Sequence, residues 1–476
     1  MKVLFVASEC TPFIKTGGLA DVIGSLPKYL QDLGVDVRVI MPKYSGIDFS
    51  LTGYPQWQKS IHISMEWRKQ FCGIETLEYK NLIFYFVDNK YYFDRPGLYG
   101  YYDDGERFAY FSKAVVDILP HIGFKPDIIH CHDWHSAMVP VLIDGRRGDD
   151  FYKDIKTVYT IHNLKFQGIF PKEVLSLMEL DDSYFKFDKL EYHNNINFMK
   201  GGIIYSNCVS TVSPTYVEEI KTPFFGEGLE EILKFHQSKL RGILNGLDYE
   251  EYNPSTDSNL YVKYSLKSLG GKTRNKKMLQ KELALVEDKN VPLIAIISRL
   301  TEQKGFYLIK EVLDEILQMN IQMVVLGVGD KEFEDMFIHA EQRYPDKLRV
   351  LLKFDEGLAR KIYGGSDLFL MPSLFEPCGL SQLIALRYGS LPLVRETGGL
   401  KDTVVPYNQF TGEGNGFSFT NYNAHDMLFT LKWAIDIFYN DKKAWRQLQK
   451  NAMETDNSWK KSAQEYLKLY EEVKGY

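Results

Sequence analysis

The feature that most constrains the fold is an alternation of short apolar runs with helix-like segments, repeated in both halves of the chain. In the first half the apolar runs lie at 3–7, 35–42, 83–87, 127–130, 157–162 and 209–212. A second series starts at Leu293 and continues with runs at 322–327, 349–354, 368–371 and 391–394. Apolar strands between amphipathic helices predict parallel sheets that are covered on both faces. Because 476 residues are too many for one core, we predict an α/β protein with two Rossmann-type parallel-sheet domains facing across a cleft.

The boundary between the two domains is predicted within 241–257. This stretch, RGILNGLDYEEYNPSTD, is rich in Asn, Gly, Asp and Pro and is typical of a connection. We therefore predict an N-terminal domain over 1–242 and a C-terminal domain over 243–456. The last stretch, 457–476, has an amphipathic pattern and could pack on either domain.

Aromatic residues are unusually frequent, at 14% of the chain, and many of them fall within 79–111. The rings in this stretch show no clean periodicity, which predicts an insertion or a long loop rather than core. Exposed rings often stack on sugars, so Tyr99 and Tyr101 are candidate contacts for a carbohydrate acceptor.

Charge and cysteine usage exclude several classes of protein. The net charge of −6 gives no attraction to nucleic acid or to an anionic membrane. Five scattered cysteines argue against a disulfide framework or a zinc site and favour a reducing compartment. The sequence contains no apolar stretch long enough to cross a bilayer and no signal-peptide core, so we expect a cytoplasmic protein.

The first candidate site lies after the first apolar run. Lys15 and the pair Gly17-Gly18 lead into a helical pattern that contains Asp21 near its start. A strand, a glycine loop and a helix start can bind phosphate, since glycine lets the backbone approach the anion and the helix dipole attracts it. Alone, this pattern favours a tight turn with a solvated lysine.

Further candidates follow strands of the second half. Arg299 and Lys304, five residues apart before a helix, suit a diphosphate. Glu376 lies in a loop bounded by Pro and Gly, where Gly379 and a helix start near Leu380 would form another anion cradle. The sequence Thr397-Gly398-Gly399-Leu400 repeats the TGGL of 16–19.

Two strands of the first half end in polar groups. The segment 130–135, HCHDWH, looks superficially like a metal site, but an extended segment alternates its side-chain directions. We therefore favour a loop that binds hydroxyl groups and predict no metal. A lone histidine such as His162, at the end of the second of these strands, is more often structural than catalytic. The chain contains no Asp-x-Asp metal–diphosphate anchor. It also lacks a G-x-G-x-x-G after the first strand, which disfavours an NAD-linked oxidoreductase.

Together these motifs resemble the glycogen and starch synthases that use ADP-glucose. The matching stretches follow the order of that family, and the length is similar to that of the bacterial glycogen synthases. They are KTGGLADV (15–22), DWHSA (133–137), TIHNLKFQG (160–168), NGLD (245–248), SRLTEQKG (298–305), LFEPCGLSQ (374–382) and RETGGLKDTV (395–404). The resemblance implies the GT-B fold, with the terminal helix crossing back to the first domain. It also implies retaining, metal-independent transfer of glucose from ADP-glucose to the 4-hydroxyl at the non-reducing end of an α-1,4-glucan, without a further cofactor.

The resemblance also implies roles for individual residues. Glu376 matches the essential glutamate near the donor glucose, and Arg299 and Lys304 match the cations that bind the diphosphate. His162 and Asp133 match groups that line the glucosyl pocket. The other residues expected at the ADP-glucose site are Lys15, Gly17, Gly18, Asp21, Asn245, Phe354 (beside the adenine), Cys378, Gly379, Leu380, Thr397, Gly398 and Gly399.

Two alternatives remain open on the sequence alone. The first is a related GT-B glucosyltransferase that uses UDP-glucose. The second is a catalytically inactive scaffold that binds glucan through the aromatic stretch 79–111. The expected partners are ADP-glucose and an α-1,4-glucan such as glycogen or a maltooligosaccharide, with neither nucleic acid nor a membrane among them.

Overall fold

The computed structural model describes residues 1–475, which form two compact units. Unit 1 comprises Met1–Gly246 together with the segment from Trp459 onward, and unit 2 comprises Leu247–Ser458. The chain therefore passes from unit 1 to unit 2 four residues after the predicted boundary at 242.

Unit 1 contains a nine-stranded sheet in the order β12-β11-β7-β6-β1-β2-β5-β4-β3 and a small antiparallel sheet in the order β8-β10-β9. The strands are β1 Lys2–Val6, β2 Asp36–Pro42, β3 Gln56–Met65, β4 Arg68–Tyr79, β5 Leu82–Asp88, β6 Ile128–His132, β7 Lys156–Ile161, β8 Ile169–Pro171, β9 Glu191–Tyr192, β10 Asn195–Asn197, β11 Cys208–Thr211 and β12 Leu240–Gly242. The helices are α1 Gly18–Asp32, α2 Lys90–Phe93, α3 Asp104–Ile118, α4 Met138–Gly145, α5 Val174–Leu177, α6 Phe198–Tyr205, α7 Pro214–Glu219 and α8 Glu230–Phe235.

The large sheet is parallel from β12 to β5 and antiparallel at one edge. The prediction of parallel strands holds for the six apolar runs of the first half. The edge hairpin of β3 and β4 was not predicted, because its outer strand is largely exposed and carries too few apolar residues to look buried.

The prediction of a long loop over 79–111 is wrong. The stretch contains β5, α2 and the first half of α3, and several of its rings are fully buried, among them Tyr92, Phe93 and Phe108. Periodicity is absent because a strand, a short helix and a longer helix follow one another too closely for one repeat to be visible. The stretch is therefore mostly core.

Unit 2 contains a six-stranded, all-parallel sheet in the order β15-β14-β13-β16-β17-β18. Its strands are β13 Leu293–Ile297, β14 Gln322–Leu326, β15 Leu348–Leu351, β16 Leu368–Met371, β17 Leu391–Arg395 and β18 Phe417–Phe419. Its helices are α9 Gly270–Glu282, α10 Phe306–Gln318, α11 Lys331–Arg343, α12 Glu356–Gly365, α13 Ser381–Arg387, α14 Gly398–Thr403, α15 Ala424–Asn440 and α16 Lys442–Glu454.

The sheet of unit 2 is buried on both faces, as its continuous apolar runs predict. Successive residues of β13 show this directly. Ile294 and Ile296 belong to one hydrophobic cluster, and Leu293 and Ala295 belong to another. Because side chains alternate along a strand, the two clusters lie on opposite faces of the sheet.

The last helix, α17 Trp459–Lys474, belongs to unit 1 and packs against α1. Its buried residues include Trp459, Tyr466 and Tyr470. Between residues 1 and 475, no helix combines the length and the apolar character needed to cross a membrane. All five cysteines are buried, and no disulfide bond forms within this range.

Candidate active site

In both units the predicted site residues follow neighbouring strands at the point where the strand order reverses. In unit 2 the chain proceeds from β13 towards β15 on one side and from β16 towards β18 on the other. Lys304 follows β13 and Glu376 follows β16. In unit 1 the equivalent neighbours are β1, followed by the loop with Lys15, and β6, followed by Asp133. Open α/β sheets bind ligands at such reversal points.

Lys304 and Glu376 form an ion pair in unit 2. The Nζ of Lys304 lies 2.5 Å from Oε2 of Glu376, and both side chains are largely buried. The two loops are joined by the backbone, since the N–H of Leu374 donates to the carbonyl of Gln303 at 2.9 Å. The sequence places these two residues 72 positions apart, and the adjacency of β13 and β16 brings them together.

This pair holds two charges in a fixed position. Removing one partner of a largely buried ion pair leaves the other charge without compensation, which typically costs about 3–5 kcal/mol. The carboxylate of Glu376 thus holds the ammonium of Lys304 in place, at the point where the strand order reverses, before any phosphate binds.

The two glycines of the second TGGL motif lie directly on the Glu376 loop. The N–H of Gly399 donates to the carbonyl oxygens of Glu376 and Pro377, at 3.2 and 3.1 Å. Gly398 has a φ of +43°, and a Cβ at this position would overlap the carbonyl oxygen of Glu376. Only glycine permits this approach, so the backbone of Glu376 is positioned by the loop after β17.

The segment that follows Glu376 is held by its own side chains. Gln382 donates through Nε2 to the carbonyls of Cys378 and Gly379, at 2.9 and 3.0 Å. Cys378 is buried, as expected for a packed residue, and Leu380 directly precedes α13. Thr397 is also buried. The structure thus brings these predicted site residues into one cluster around Glu376.

Two predicted site residues of unit 2 are exposed. Arg299 is exposed, and its side chain makes no hydrogen bond to any residue within 1–475. Phe354, three residues after β15, is 80% exposed. Both side chains are therefore accessible to a ligand.

In unit 1, Asp133 organises the ends of β6 and β7. Its Oδ1 accepts the backbone N–H of His162 at 2.8 Å and that of Asn163 at 3.4 Å. Asp133 has a positive φ of 55°. Burial raises the pKa of its carboxyl group to about 7, although the two amide donors act in the opposite direction. Asp133 thus fixes the backbone of His162.

Glu9 contacts the predicted loop at 15–18, and sequence reasoning did not single it out. It is buried, and its carboxylate accepts both the N–H and the hydroxyl of Thr16, at 2.5 and 2.9 Å. Burial raises the pKa of Glu9, while the backbone amides of Thr16 and Gly17 partly offset this. The sequence signal for Glu9 was the position of its carboxylate two residues after the apolar run at 3–7.

The loop of the first TGGL motif therefore differs from the prediction. Its amides were expected to be available to a phosphate, but those of Thr16 and Gly17 already bind Glu9. The cation of the loop, Lys15, contacts Asp21 at 2.8 Å. Gly18 is the first residue of α1.

His132 is a second residue that sequence reasoning did not single out. It is fully buried on β6, and its Nδ1 lies 3.0 Å from Nε2 of His162. The rings of His130 and His132 pack against each other with centroids 4.1 Å apart, whereas His135 packs against Trp134. The signal was the i, i+2 spacing on a strand, which puts both rings on one face.

The two tyrosines predicted to contact an acceptor have intramolecular partners. The hydroxyl of Tyr99 lies 2.7 Å from the hydroxyl of Ser8, and its ring packs on that of His135. The Tyr101 hydroxyl accepts the N–H of Gly97 at 2.9 Å. Their role in acceptor binding stays a prediction.

Asn245 is buried, and its Oδ1 has no hydrogen-bond partner in the described range 1–475. Among the residues that the structure describes, no three His, Cys, Asp or Glu side chains converge on a possible metal position. Within 130–135, the rings of His130 and His132 pack against each other, and His132 also forms a hydrogen bond with His162.

Comparison with known proteins assigns both halves of the chain. Residues 2–235 match the family model of the starch synthase catalytic domain, and residues 279–455 match that of the glycosyl transferases group 1. The glycogen synthase of Alkaliphilus metalliredigens is 55% identical over 472 residues, which is 99% of both chains. That of Bacillus cereus strain Q1 is 54% identical over 475 residues, 99% of this chain and 100% of the relative.

The chain belongs to the glycogen synthase family.

The fold of this family member agrees with that assignment. The catalytic domain of starch synthase IV from Arabidopsis thaliana, solved with ADP and acarbose bound, superposes with a TM-score of 0.93 at 36% identity. The match covers 100% of this chain and 99% of the plant domain. The chain is thus a glycosyltransferase with the two parallel-sheet domains of the GT-B class, and the predictions of family, fold class and enzyme are confirmed.

Proposed function

We propose that this glycogen synthase family member transfers glucose from ADP-glucose to the 4-hydroxyl at the non-reducing end of an α-1,4-glucan, with retention of configuration. The observation that carries the proposal is the Lys304–Glu376 pair at the reversal point of unit 2. The plant starch synthase domain that resembles this chain binds ADP and acarbose. A nucleoside diphosphate and a glucose oligomer analogue are the ligand classes that the proposal requires.

The proposed mechanism rests on charge stabilisation. As the bond between glucose and phosphate breaks, positive charge builds on the sugar and negative charge on the departing ADP. The exposed guanidinium of Arg299 and the ammonium of Lys304 bind the diphosphate. Their positions are fixed before the reaction starts, so they stabilise the leaving group without reorganisation. No metal ion or other cofactor is part of the proposal, since these two cations meet the diphosphate charge.

Glu376 is proposed to act on the donor glucose. One of its carboxylate oxygens is held by Lys304, and its backbone is positioned by Gly399. A carboxylate fixed at both ends can either bind sugar hydroxyls or attack the anomeric carbon. In both cases its position relative to the diphosphate site is set by the same ion pair.

Unit 1 is proposed to supply the remaining polar contacts to the donor. Asp133 fixes His162 through its backbone, and we place the imidazole of His162 beside the glucosyl group. Lys15 adds a positive charge on the donor side. Phe354 is proposed to stack on the adenine, because its ring is exposed at the end of β15. The partners are then ADP-glucose and the glucan, and the scattered cysteines favour a reducing compartment such as the cytoplasm.

A donor competition experiment tests the proposal. Labelled ADP-glucose or UDP-glucose is supplied with maltohexaose, and incorporation into longer oligosaccharides is measured. We expect strong preference for ADP-glucose and a loss of about 10²–10³-fold in kcat for Glu376→Gln. Preference for UDP-glucose would overturn the donor assignment. Absence of incorporation by a folded protein that still binds glucan would instead support the inactive scaffold.

A further inference from the structure

Three histidine side chains form a continuous series in unit 1. The rings of His130 and His132 pack against each other at a tilt of 35°, with centroids 4.1 Å apart, and the ring centroids of His132 and His162 are 5.3 Å apart. His130 and His132 are fully buried on β6, whereas His162 is partly exposed. The series therefore runs from the core to the surface of the unit, where Asp133 holds the backbone of His162.

The two ring nitrogens of His132 differ in their hydrogen bonding. Nδ1 of His132 lies 3.0 Å from Nε2 of His162. The other ring nitrogen of His132, Nε2, is enclosed and has no hydrogen-bond partner among residues 1–475. His130 cannot serve as that partner, because its own nitrogens are engaged by Tyr470 at 2.7 Å and by Thr160 at 2.6 Å.

This asymmetry decides which nitrogen carries the proton. A hydrogen bond between two neutral imidazoles needs one N–H and one bare nitrogen. If His132 accepted the bond, its enclosed Nε2 would carry an N–H without any acceptor. Buried N–H groups without a partner are the rarer and more costly case. His132 therefore donates from Nδ1, and His162 accepts at Nε2.

The hydrogen bond from His132 also determines which ring nitrogen of His162 carries the proton. Since its Nε2 is the acceptor, the proton of the neutral ring is on Nδ1. That nitrogen makes no hydrogen bond to any residue in 1–475, and it is not among the enclosed polar atoms. It is therefore open to solvent and can donate to a ligand.

We propose that His132 is a positioning residue that sets the tautomer of His162, so that His162 presents an Nδ1–H donor to an oxygen of the donor glucose. This inference rests on the proposed function, which places His162 at the glucosyl group. His132 does not touch substrate itself. It acts only through the ring of His162.

The electrostatics of the site suit a neutral donor. Burial lowers the pKa of His162 to about 3, and it lowers the pKa values of His130 and His132 well below the ordinary range. A neutral imidazole can donate a hydrogen bond to a hydroxyl oxygen without placing a full positive charge beside a sugar that becomes positive in the transition state. An imidazolium in the same position would repel it.

The wild-type protein provides the first test. The full chain is labelled with ¹⁵N-histidine, and the signals of His162 are assigned by their loss in His162→Asn. We expect a protonated Nδ1 and a bare Nε2 on His162 at neutral pH. A proton on Nε2 of His162 would overturn the proposal, and this measurement needs no substitution at His132.

Variants of His132 provide the second test. His132→Phe keeps an aromatic ring in the stack but removes the hydrogen bond, whereas His132→Asn keeps an amide near the position of Nδ1. We expect His132→Phe to lower kcat/KM by about 10–100-fold, by analogy with the loss of hydrogen-bond partners that orient metal-binding histidines. The ring of His162 should then become a mixture of tautomers. His132→Asn should recover most of the activity and of the Nδ1–H signal.

A matched control comes from the same segment. His135 is buried, and within the described part of the chain neither of its ring nitrogens has a hydrogen-bond partner, so it makes no bond to His162. His135→Phe should leave the His162 tautomer and kcat/KM unchanged. An equal loss in His135→Phe and His132→Phe would show a packing effect and overturn the proposal. A failure of the proposed function differs, because wild-type protein would then show the expected tautomer but no transfer from ADP-glucose.

Discussion

The two TGGL motifs have the same four letters but different environments. In unit 1, the amides of Thr16 and Gly17 bind the carboxylate of Glu9. In unit 2, Gly399 binds carbonyl oxygens of the Glu376 loop, and Gly398 lies too close to that loop for any side chain. The first loop is organised by a buried anion, and the second is organised by contact between two backbones.

Because of this difference, we expect substitutions in the two motifs to have different effects on activity. The unit 2 glycines position Glu376, so any change in them moves a residue that we place beside the reacting sugar. Apart from its two chain neighbours, no described residue has an atom within 4 Å of the position that an added Cβ of Gly17 would take. Its φ of −157° is open to any residue. The carboxylates also differ, since Glu376 is paired with Lys304 while Glu9 and Asp133 are held by amides.

The largest difference between two matched variants is expected when alanine replaces the first glycine of each TGGL motif, Gly398 in unit 2 and Gly17 in unit 1. Gly398→Ala should lower kcat by at least ~10²-fold, because a displacement of about 1 Å at a reacting group can have that effect. Gly17→Ala should change kcat by less than about threefold and the free energy of unfolding by less than about 0.5 kcal/mol. Glucose incorporation and urea denaturation measure both quantities. Equal losses in the two variants would contradict the distinction between the loops.

The two lysines provide the next comparison. Lys304→Ala should lower kcat by about 10²–10³-fold, since it removes a leaving-group charge and leaves Glu376 unpaired. Lys15→Ala should weaken ADP-glucose binding by only ~10-fold with the fold intact, as expected for one charged hydrogen bond. Titration calorimetry and steady-state kinetics separate the two effects. Unchanged donor affinity in Lys15→Ala would remove the first TGGL loop from the site.

The amide-held carboxylate of unit 1 predicts a dependence of stability on pH. The pKa of Asp133 is raised to about 7 in the folded protein from an ordinary value of 3.8. The folded state then binds the proton more tightly, so this contribution is complete below pH 3.8 and is lost as the pH rises through 7.

The measurement compares wild type with Asp133→Asn. Between pH 4 and pH 7.5, wild type should lose up to a few kcal/mol of unfolding free energy relative to the variant. Asp150, whose side chain is 95% exposed, provides the control, and Asp150→Asn should give a flat difference. A flat difference for Asp133→Asn as well would show that its carboxyl group is not perturbed by folding.

The smallest effect is expected at the adenine. Phe354→Ala should raise the KM for ADP-glucose by about 2–10-fold, which corresponds to one aromatic stack. Phe410, also in unit 2 and 89% exposed, is the matched control, and Phe410→Ala should leave KM unchanged. A KM shift of the same size in both variants would exclude a specific stack.

Much of the fold was accessible from the sequence because buried parallel strands carry continuous apolar runs. The runs at 293–297 and 368–371 coincide with β13 and β16. The rule that ligands bind beyond strand ends singled out Lys304 and Glu376, which the structure joins in an ion pair. The edge hairpin was not accessible, since strands such as β3 that face solvent lack that signal.

Contacts between distant segments could not be predicted. The sequence showed a glycine loop at 15–18 but not that Glu9 folds back onto its amides. It showed three histidines within 130–135 but not which two share a face with His162. Both results depend on strand register and on side-chain rotamers, which a single sequence does not reveal.

The central claim, transfer from ADP-glucose with retention, is tested most directly by following the anomeric carbon. ADP-glucose labelled with ¹³C at the anomeric position is incubated with maltohexaose, and the new linkage is observed by NMR as it forms. We predict an α-1,4 linkage at the non-reducing end, appearing in step with free ADP. A β linkage, or release of free glucose without chain elongation, would contradict it.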